Sequence, residues 1–158
     1  MKTHALSRSP AHQSGVGLIE VLIAVLVLSI GFLGVAALEA MSLSTNNSAY
    51  ARSMATINAY SILDAMRADL GNAKAGSYNT TTPVKASSCP AAGTTLATQQ
   101  LNVWCGSLAA TLGANDTTTG SVNCDTNGNC TITIAFDDSR AGSNLGSSAQ
   151  TFTTQGIL

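Results

Sequence analysis

With 158 residues, the chain has room for one domain, or for one domain beside a membrane segment. Only 9% of residues are charged and the formal net charge is -1, so no basic surface speaks for nucleic acid. Aromatics at 4% limit the apolar area any core can bury, which makes covalent staples useful. These averages hide an asymmetry along the chain. Residues 1–15 are polar and basic, 16–38 are apolar, and the remainder is rich in Ala, Gly, Ser, Thr and Asn.

The head carries Lys2 and Arg8 and no acid. A basic head before an apolar run follows positive-inside logic and is expected to stay in the cytoplasm. Residues 21–38 hold no charged side chain, and as a helix they rise about 27 Å, close to the hydrocarbon thickness of a bilayer. That run is too long for an ordinary secretory signal, and no A-x-A-like site follows it. Glu20 is the anomaly. A carboxylate in a membrane helix costs about 2.5–3.5 kcal/mol at the centre and less near an interface. The plain account puts Glu20 at headgroup level, where the positive end of the helix dipole favours it.

The stretch Gly15-Val16-Gly17-Leu18-Ile19-Glu20-Val21-Leu22-Ile23 resembles the class III prepilin signal of type IV pilins. The resemblance implies cleavage between Gly15 and Val16 by a prepilin peptidase, N-methylation of Val16, and Glu20 as the assembly carboxylate. Val16 stands where that family usually has Phe or Met, and Gly17 where it has Thr or Ser. Cutting there leaves an ammonium at Val16, about one helical turn from Glu20. An amine and an acid at the edge of lipid each lower the burial cost of the other.

Residues 39–70 contain no proline. Met54, Ile57, Leu63, Met66 and Leu70 recur at offsets of 3, 6, 3 and 4, which predicts the buried stripe of an amphipathic helix. Arg52, Asn58, Asp64, Arg67 and Asp69 fall mostly outside that stripe, and Gly71-Asn72 is the expected C-cap. One helix over residues 16–70 would be roughly 80 Å long, and a domain of this size cannot bury so long a rod. Its first half must pack against lipid before assembly and sister helices afterwards. Gly31 and Gly34 suit close helix packing rather than a weak point. Residues 19–34, 47–55 and 64–69 are similar to the helix of PilV-type minor pilins, the type IV pilus modification proteins. Ala65 and Asp69 depart from that family's usual D-R-M-R-A-N.

Residues 71–100, with Pro83 and Pro90, read as an ordered loop with little regular structure. Leu101, Trp104, Leu108 and Leu112 predict a short amphipathic helix ending at Gly113, with its stripe in the core rather than around a cofactor. Asn127-Gly128 signals a hairpin. The following strand sets Ile132, Ile134 and Phe136 on one face and Thr131, Thr133 and Ala135 on the other. Residues 149–154 add a further strand. A calcium loop on Asp125, Asn127 and Asn129 lacks both the Gly and the bidentate acid it needs, since Cys130 and Phe136 stand there. The expected class is α+β, a type IV pilin fold with a long N-terminal helix on a small antiparallel sheet. Its parts are a prepilin leader at 1–15, a membrane and polymerisation helix at 16–38, an amphipathic continuation at 39–70 and a periplasmic pilin-like domain at 71–158.

Cys89, Cys105, Cys124 and Cys130 have 15, 18 and 5 residues between them and no C-x-x-C, which argues against zinc. In an oxidising periplasm two disulfides are the natural reading. Three connectivities are open, and Cys89–Cys105 with Cys124–Cys130, the latter closing the hairpin, is favoured. The only histidines, His4 and His12, lie in the leader, and no G-x-S-x-G, H-E-x-x-H or phosphate loop appears. No enzyme, catalytic residue, metal, cofactor or small-molecule substrate is expected.

The resemblance implies a minor pilin of the inner membrane, single-pass with a periplasmic C-terminal domain, that later enters the pilus. Its implied partners are prepilin peptidase, other minor pilins, the major pilin and the assembly platform. Its implied roles are priming or capping the filament, twitching motility and attachment. A type II secretion pseudopilin uses the same physics. A tip-located binder of DNA or host surface and an anchored domain that never polymerises are the readings from other classes.

Overall fold

Helix α1 spans Leu18–Ala68, 51 residues without a proline, and neither Gly31 nor Gly34 breaks it. The computed structural model describes residues 15–139 and 147–158. The leader expected at 1–15, with His4 and His12, therefore lies outside the described residues except for Gly15. Two compact units divide the chain, Met1–Ala40 and Met41–Leu158. In the first, every described residue is exposed. It has no core of its own.

The second unit holds the remainder of α1, then α2 (Leu70–Lys74), β1 (Val84–Lys85), α3 (Leu96–Leu112), β2 (Thr119–Cys124), β3 (Asn129–Phe136) and β4 (Gln150–Ile157). The strands form one antiparallel sheet in the order β1-β2-β3-β4. A long apolar helix packed on a small four-stranded antiparallel sheet is the α+β architecture of type IV pilins. Alternation decides which face is buried. Val122, Ile132, Ile134 and Phe136 point inward with Cys124 and Cys130, while Thr151, Thr153 and Gln155 point out.

Two glycines let the helices reach the sheet. A Cβ on Gly120 would lie 2.5 Å from Trp104 of α3, and one on Gly156 would lie 3.1 Å from Leu63 of α1. Trp104 Nε1–H donates to the Asn58 carbonyl at 3.0 Å, and Asn58 Nδ2 donates to Thr111 Oγ1 at 2.9 Å and to the Met54 carbonyl at 2.8 Å. The two helices are thus latched through a polar residue whose donors are all used, which is what permits its burial.

That latch corrects the expected helix stripe. Asn58 is only 2% exposed, whereas Ile57 is 57% and Leu70 41% exposed. The buried face runs through Ser48, Ala55, Asn58, Ala59, Ile62, Leu63 and Met66. Small residues at 55 and 59 admit close neighbours, so shape overrides the hydrophobicity of Ile57. The helix end also differs from expectation. Asp69 (φ -127°, ψ 49°) leaves the helical region, and Gly71 and Asn72 lie inside α2 instead of capping α1. The left-handed glycine is Gly76, at φ 81°. Asp69 is held out of the helix by two donors, Asn72 Nδ2 at 2.8 Å and the Tyr78 hydroxyl at 3.2 Å.

The expected loop at 71–100 carries more structure than its composition suggests, since α2, β1 and the start of α3 fall within it. Thr95 caps α3, its hydroxyl accepting from Thr98 N, and Gly113 ends it at φ 108°. In the β2–β3 hairpin only Gly128 has positive φ, 91°. A two-residue Asn-Gly turn needs two such residues, so this is the three-residue form with glycine last. Asp125 fastens it by accepting from Asn127 N, Asn129 N and Asn129 Nδ2 at 2.8–2.9 Å. These bonds, the Asn129 side chain first, hold its carboxyl below the usual carboxylate range. Disulfides join Cys89 to Cys105 and Cys124 to Cys130.

Gly120→Ala forces its methyl group into Trp104 and is expected to lower stability by about 1–3 kcal/mol. Gly106→Ala, on the open side of α3 with nothing within 4 Å, is expected to raise it by about 0.5–1 kcal/mol. Urea midpoints of the two variants in detergent check the contrast.

Tyr78 is fully buried, and burial first, then its bond to Asp69 and the charge of that carboxylate, push its pKa up to about 12. The native state therefore keeps a proton that the unfolded chain releases at its ordinary value of 10.0. This contribution to stability is complete below pH 10 and is lost as pH rises through about 12. A tyrosinate absorbance titration should show one phase near pH 12, and Tyr78→Phe should remove it.

Candidate functional site

Gly15, Val16 and Gly17 precede the helix, and α1 begins at Leu18, two residues later than expected. The Gly17 carbonyl accepts from Glu20 N at 2.9 Å and from Val21 N at 3.3 Å, so the first turn is wound on the glycine. Glu20 is the acid of that turn, where the unpaired N–H groups of a helix start favour negative charge. Its side chain shares one shallow groove with Val16, Val21, Ala24, Val25 and Leu28. The two residues expected to carry the assembly chemistry, Val16 just before the helix and Glu20 in its first turn, therefore border the same groove.

What surrounds them is apolar and uncovered. Leu18 is 81% exposed and Leu33 72%, and the large apolar side chains from Val16 to Leu43 are all exposed. Within α1 an 18-residue window reaches a mean hydropathy of 2.9, long and apolar enough to cross a membrane. Each such side chain gains about 1.5–3 kcal/mol on leaving water. A helix of this kind requires an external apolar environment.

A second cluster was not legible in the sequence. Asp138, just beyond β3, is 3% exposed, accepts from Ser48 Oγ at 2.5 Å and lies 4.0 Å from Arg52 Nη2. Ser48 is itself buried on α1. The contact ties the end of β3 to the helix across 90 residues of sequence. Its only sequence signal was the family-like character of residues 47–55, which says nothing about a partner for Ser48. Next to it Asn47, Tyr50, Thr111 and Asp137 line a cleft together with Ala51, Ala110, Leu112 and Gly113. Among the described residues, no three His, Cys, Asp or Glu come together as a metal-binding group.

Residues 10–36 match the prokaryotic N-terminal methylation motif. No curated protein and no solved structure matches the chain. The motif covers the segment that holds Gly15, Val16 and Glu20, and it supports a type IV pilin-like or pseudopilin-like prepilin. It implies processing by a prepilin peptidase and assembly with pilus machinery, and with the apolar helix it fits membrane anchoring. Its family is structural rather than catalytic.

Ser48→Ala strips a buried carboxylate of its hydroxyl donor and is expected to cost about 1–3 kcal/mol. Arg52→Ala, which removes an exposed and distant partner, is expected to cost less than about 1 kcal/mol. Thermal unfolding of the two variants in detergent separates them, and equal losses would assign the burial of Asp138 to its arginine instead.

Proposed function

We propose that the chain is the precursor of a minor pilin of the PilV type, which primes or caps a type IV pilus and so supports twitching motility and attachment. The reading is carried by one observation. An apolar helix that its own chain leaves uncovered opens, inside a methylation motif, with Glu20 beside Val16. Removal of residues 1–15 by the peptidase frees the amine of Val16, which is then methylated. Residues 16–38 hold the subunit in the inner membrane, with residues 71–158 in the periplasm. On assembly the helix exchanges lipid for sister helices of minor and major pilins. Glu20 pairs with the amine of a neighbouring subunit and sets the axial register, since neither charge is tolerated alone in that setting. Nothing in this sequence of steps calls for a cofactor or a catalytic residue.

The same motif serves type II secretion pseudopilins, which is the second reading. Deletion of the gene separates the two. Loss of piliation with intact secretion supports the first, and the reverse supports the second.

The direct test is on the mature protein. Mass spectrometry is expected to find a chain beginning at methylated Val16 in sheared pili. Glu20→Ala should insert in the membrane but fall on the order of tenfold in filament incorporation, the effect of losing about 1.4 kcal/mol. Retention of residues 1–15, or normal incorporation of the variant, refutes the mechanism.

A further inference from the structure

The two edges of the sheet are finished differently. Asp125 N bonds the Asn129 carbonyl, and Cys124 lies opposite Cys130. Along β3, then, odd-numbered residues aim their N–H and C=O at β2, and even-numbered ones aim at β4. Cys130 faces Gly156, and Leu158 N bonds the Gly128 carbonyl, so the even-numbered residues of β4 are bonded to β3. Thr151, Thr153, Gln155 and Ile157 consequently turn four N–H and four C=O groups away from β3, to a side with no strand among the described residues.

On the β2 side the equivalent groups are taken. The Thr118 carbonyl accepts from Ala86 N, and Gly120 faces Val84 of β1. Val122 bonds Thr80 through both N and O, and Cys124 bonds the Asn79 side-chain amide the same way. Asn79 thus imitates a strand. Among the described residues nothing does this for β4. Its sequence, Gln-Thr-Phe-Thr-Thr-Gln-Gly-Ile, has no charge and no proline, and its register with β3 has no bulge. Charge, proline and bulges are among the devices by which edge strands avoid pairing, and β4 carries none of the three.

We propose that β4 receives an extended strand from a different membrane-anchored subunit of the same assembly, making the sheet five-stranded. The proposal rests on the assembly reading above. A second copy of this chain is a poor occupant on two counts. Antiparallel pairing of two β4 strands places a dyad across the sheet and reverses the packed part of α1 in one copy, against a shared membrane orientation. Head-to-tail pairing needs a free β2 edge, and that edge is closed.

The incoming strand is defined by what it meets. Opposite Thr151, Thr153 and Gln155 it presents uncharged polar side chains on the outer face. On the helix side it lies beside Phe152 and Gly156, both partly exposed, where a large apolar side chain can cover the glycine. An alternating strand with apolar residues toward the helices fits; a charged or proline-bearing one does not.

Hydrogen exchange on the full chain in its native membranes, against the full chain produced alone in detergent, tests this. The amides of Thr151, Thr153, Gln155 and Ile157 should exchange roughly 100-fold more slowly in the membranes, with the even-numbered amides of β4 unchanged. Thr153→Pro removes an outward donor and leaves the β3 ladder whole, and Thr153→Lys adds a charge without touching the backbone; either should abolish the protection. Photocrosslinkers at Thr153 and Gln155 should reach residues two apart in one segment of another chain bearing the methylation motif. Crosslinks between two copies of this chain overturn the proposal. So do odd-numbered amides that stay labile in a chain that begins at Val16 and enters filaments, and that result leaves the assembly reading standing. An unprocessed chain with labile edge amides overturns both.

Discussion

The structure depends on a helix whose first half the described residues leave uncovered. Residues 18–40 of α1 are exposed on every side and carry Leu, Ile, Val and Phe at most positions. The core formed by the described residues is built on the other half of the same helix, and residues 18–40 take no part in it. The first half therefore takes its stability from outside. Lipid and neighbouring helices offer almost the same apolar solvent, so exchange between them is nearly neutral, and small polar terms decide it. In the proposed assembly Glu20 is such a term. A single carboxylate at the start of an otherwise uniform surface can specify axial position, which the hydrocarbon around it cannot.

The second half of α1 solves the opposite problem. It must be rigidly seated with few large side chains to do so. Ala55 and Ala59 bring the helix close, Gly120 and Gly156 let side chains sink onto the strands, and Asn58 joins α1 to α3 through Trp104 and Thr111. Directional bonds replace bulk. The disulfides add to this by restricting the unfolded chain, by about 3 kcal/mol for the Cys89–Cys105 loop and about 2 kcal/mol for the shorter one in the chain-entropy account. A core with one tryptophan and few other aromatics is held by such means or not at all.

Much of this was legible from periodicity. The long proline-free run, the Leu101–Leu112 spacing and the alternation of residues 131–136 each reflect a local rule, and α1, α3 and β3 follow them. The errors share one cause. Ile57 is more hydrophobic than Asn58, so a stripe read from hydropathy includes the first and omits the second. The sheet and α3 select instead for small neighbours and a satisfied amide. Asp69 is similar, because its departure from the helix depends on Tyr78, nine residues on, and no local pattern announces that. Ser48 and Asp138 pair across the whole domain, and separations of that size leave no trace in a single sequence. In the candidate site, Glu20 was conspicuous because a charge in an apolar run is costly wherever it occurs. Val16 lies before the helix, so its place beside Glu20 comes from the structure and not from helical spacing.

The staples are not distributed evenly, and their placement bears on what the domain can do. Cys89–Cys105 ties the segment after β1 to α3, and Asn79 and Thr80 clamp β2 nearby. Cys124–Cys130 closes the hairpin that joins β2 to β3. Covalent and side-chain reinforcement therefore concentrates on one side of the sheet. β4 is held by its ladder to β3, by Phe152 at the margin of the core, by Leu63 over Gly156 and by the Leu158–Gly128 bond. A strand fixed on one side by backbone bonds, beside a scaffold made stiff elsewhere, keeps its register without needing a second neighbour.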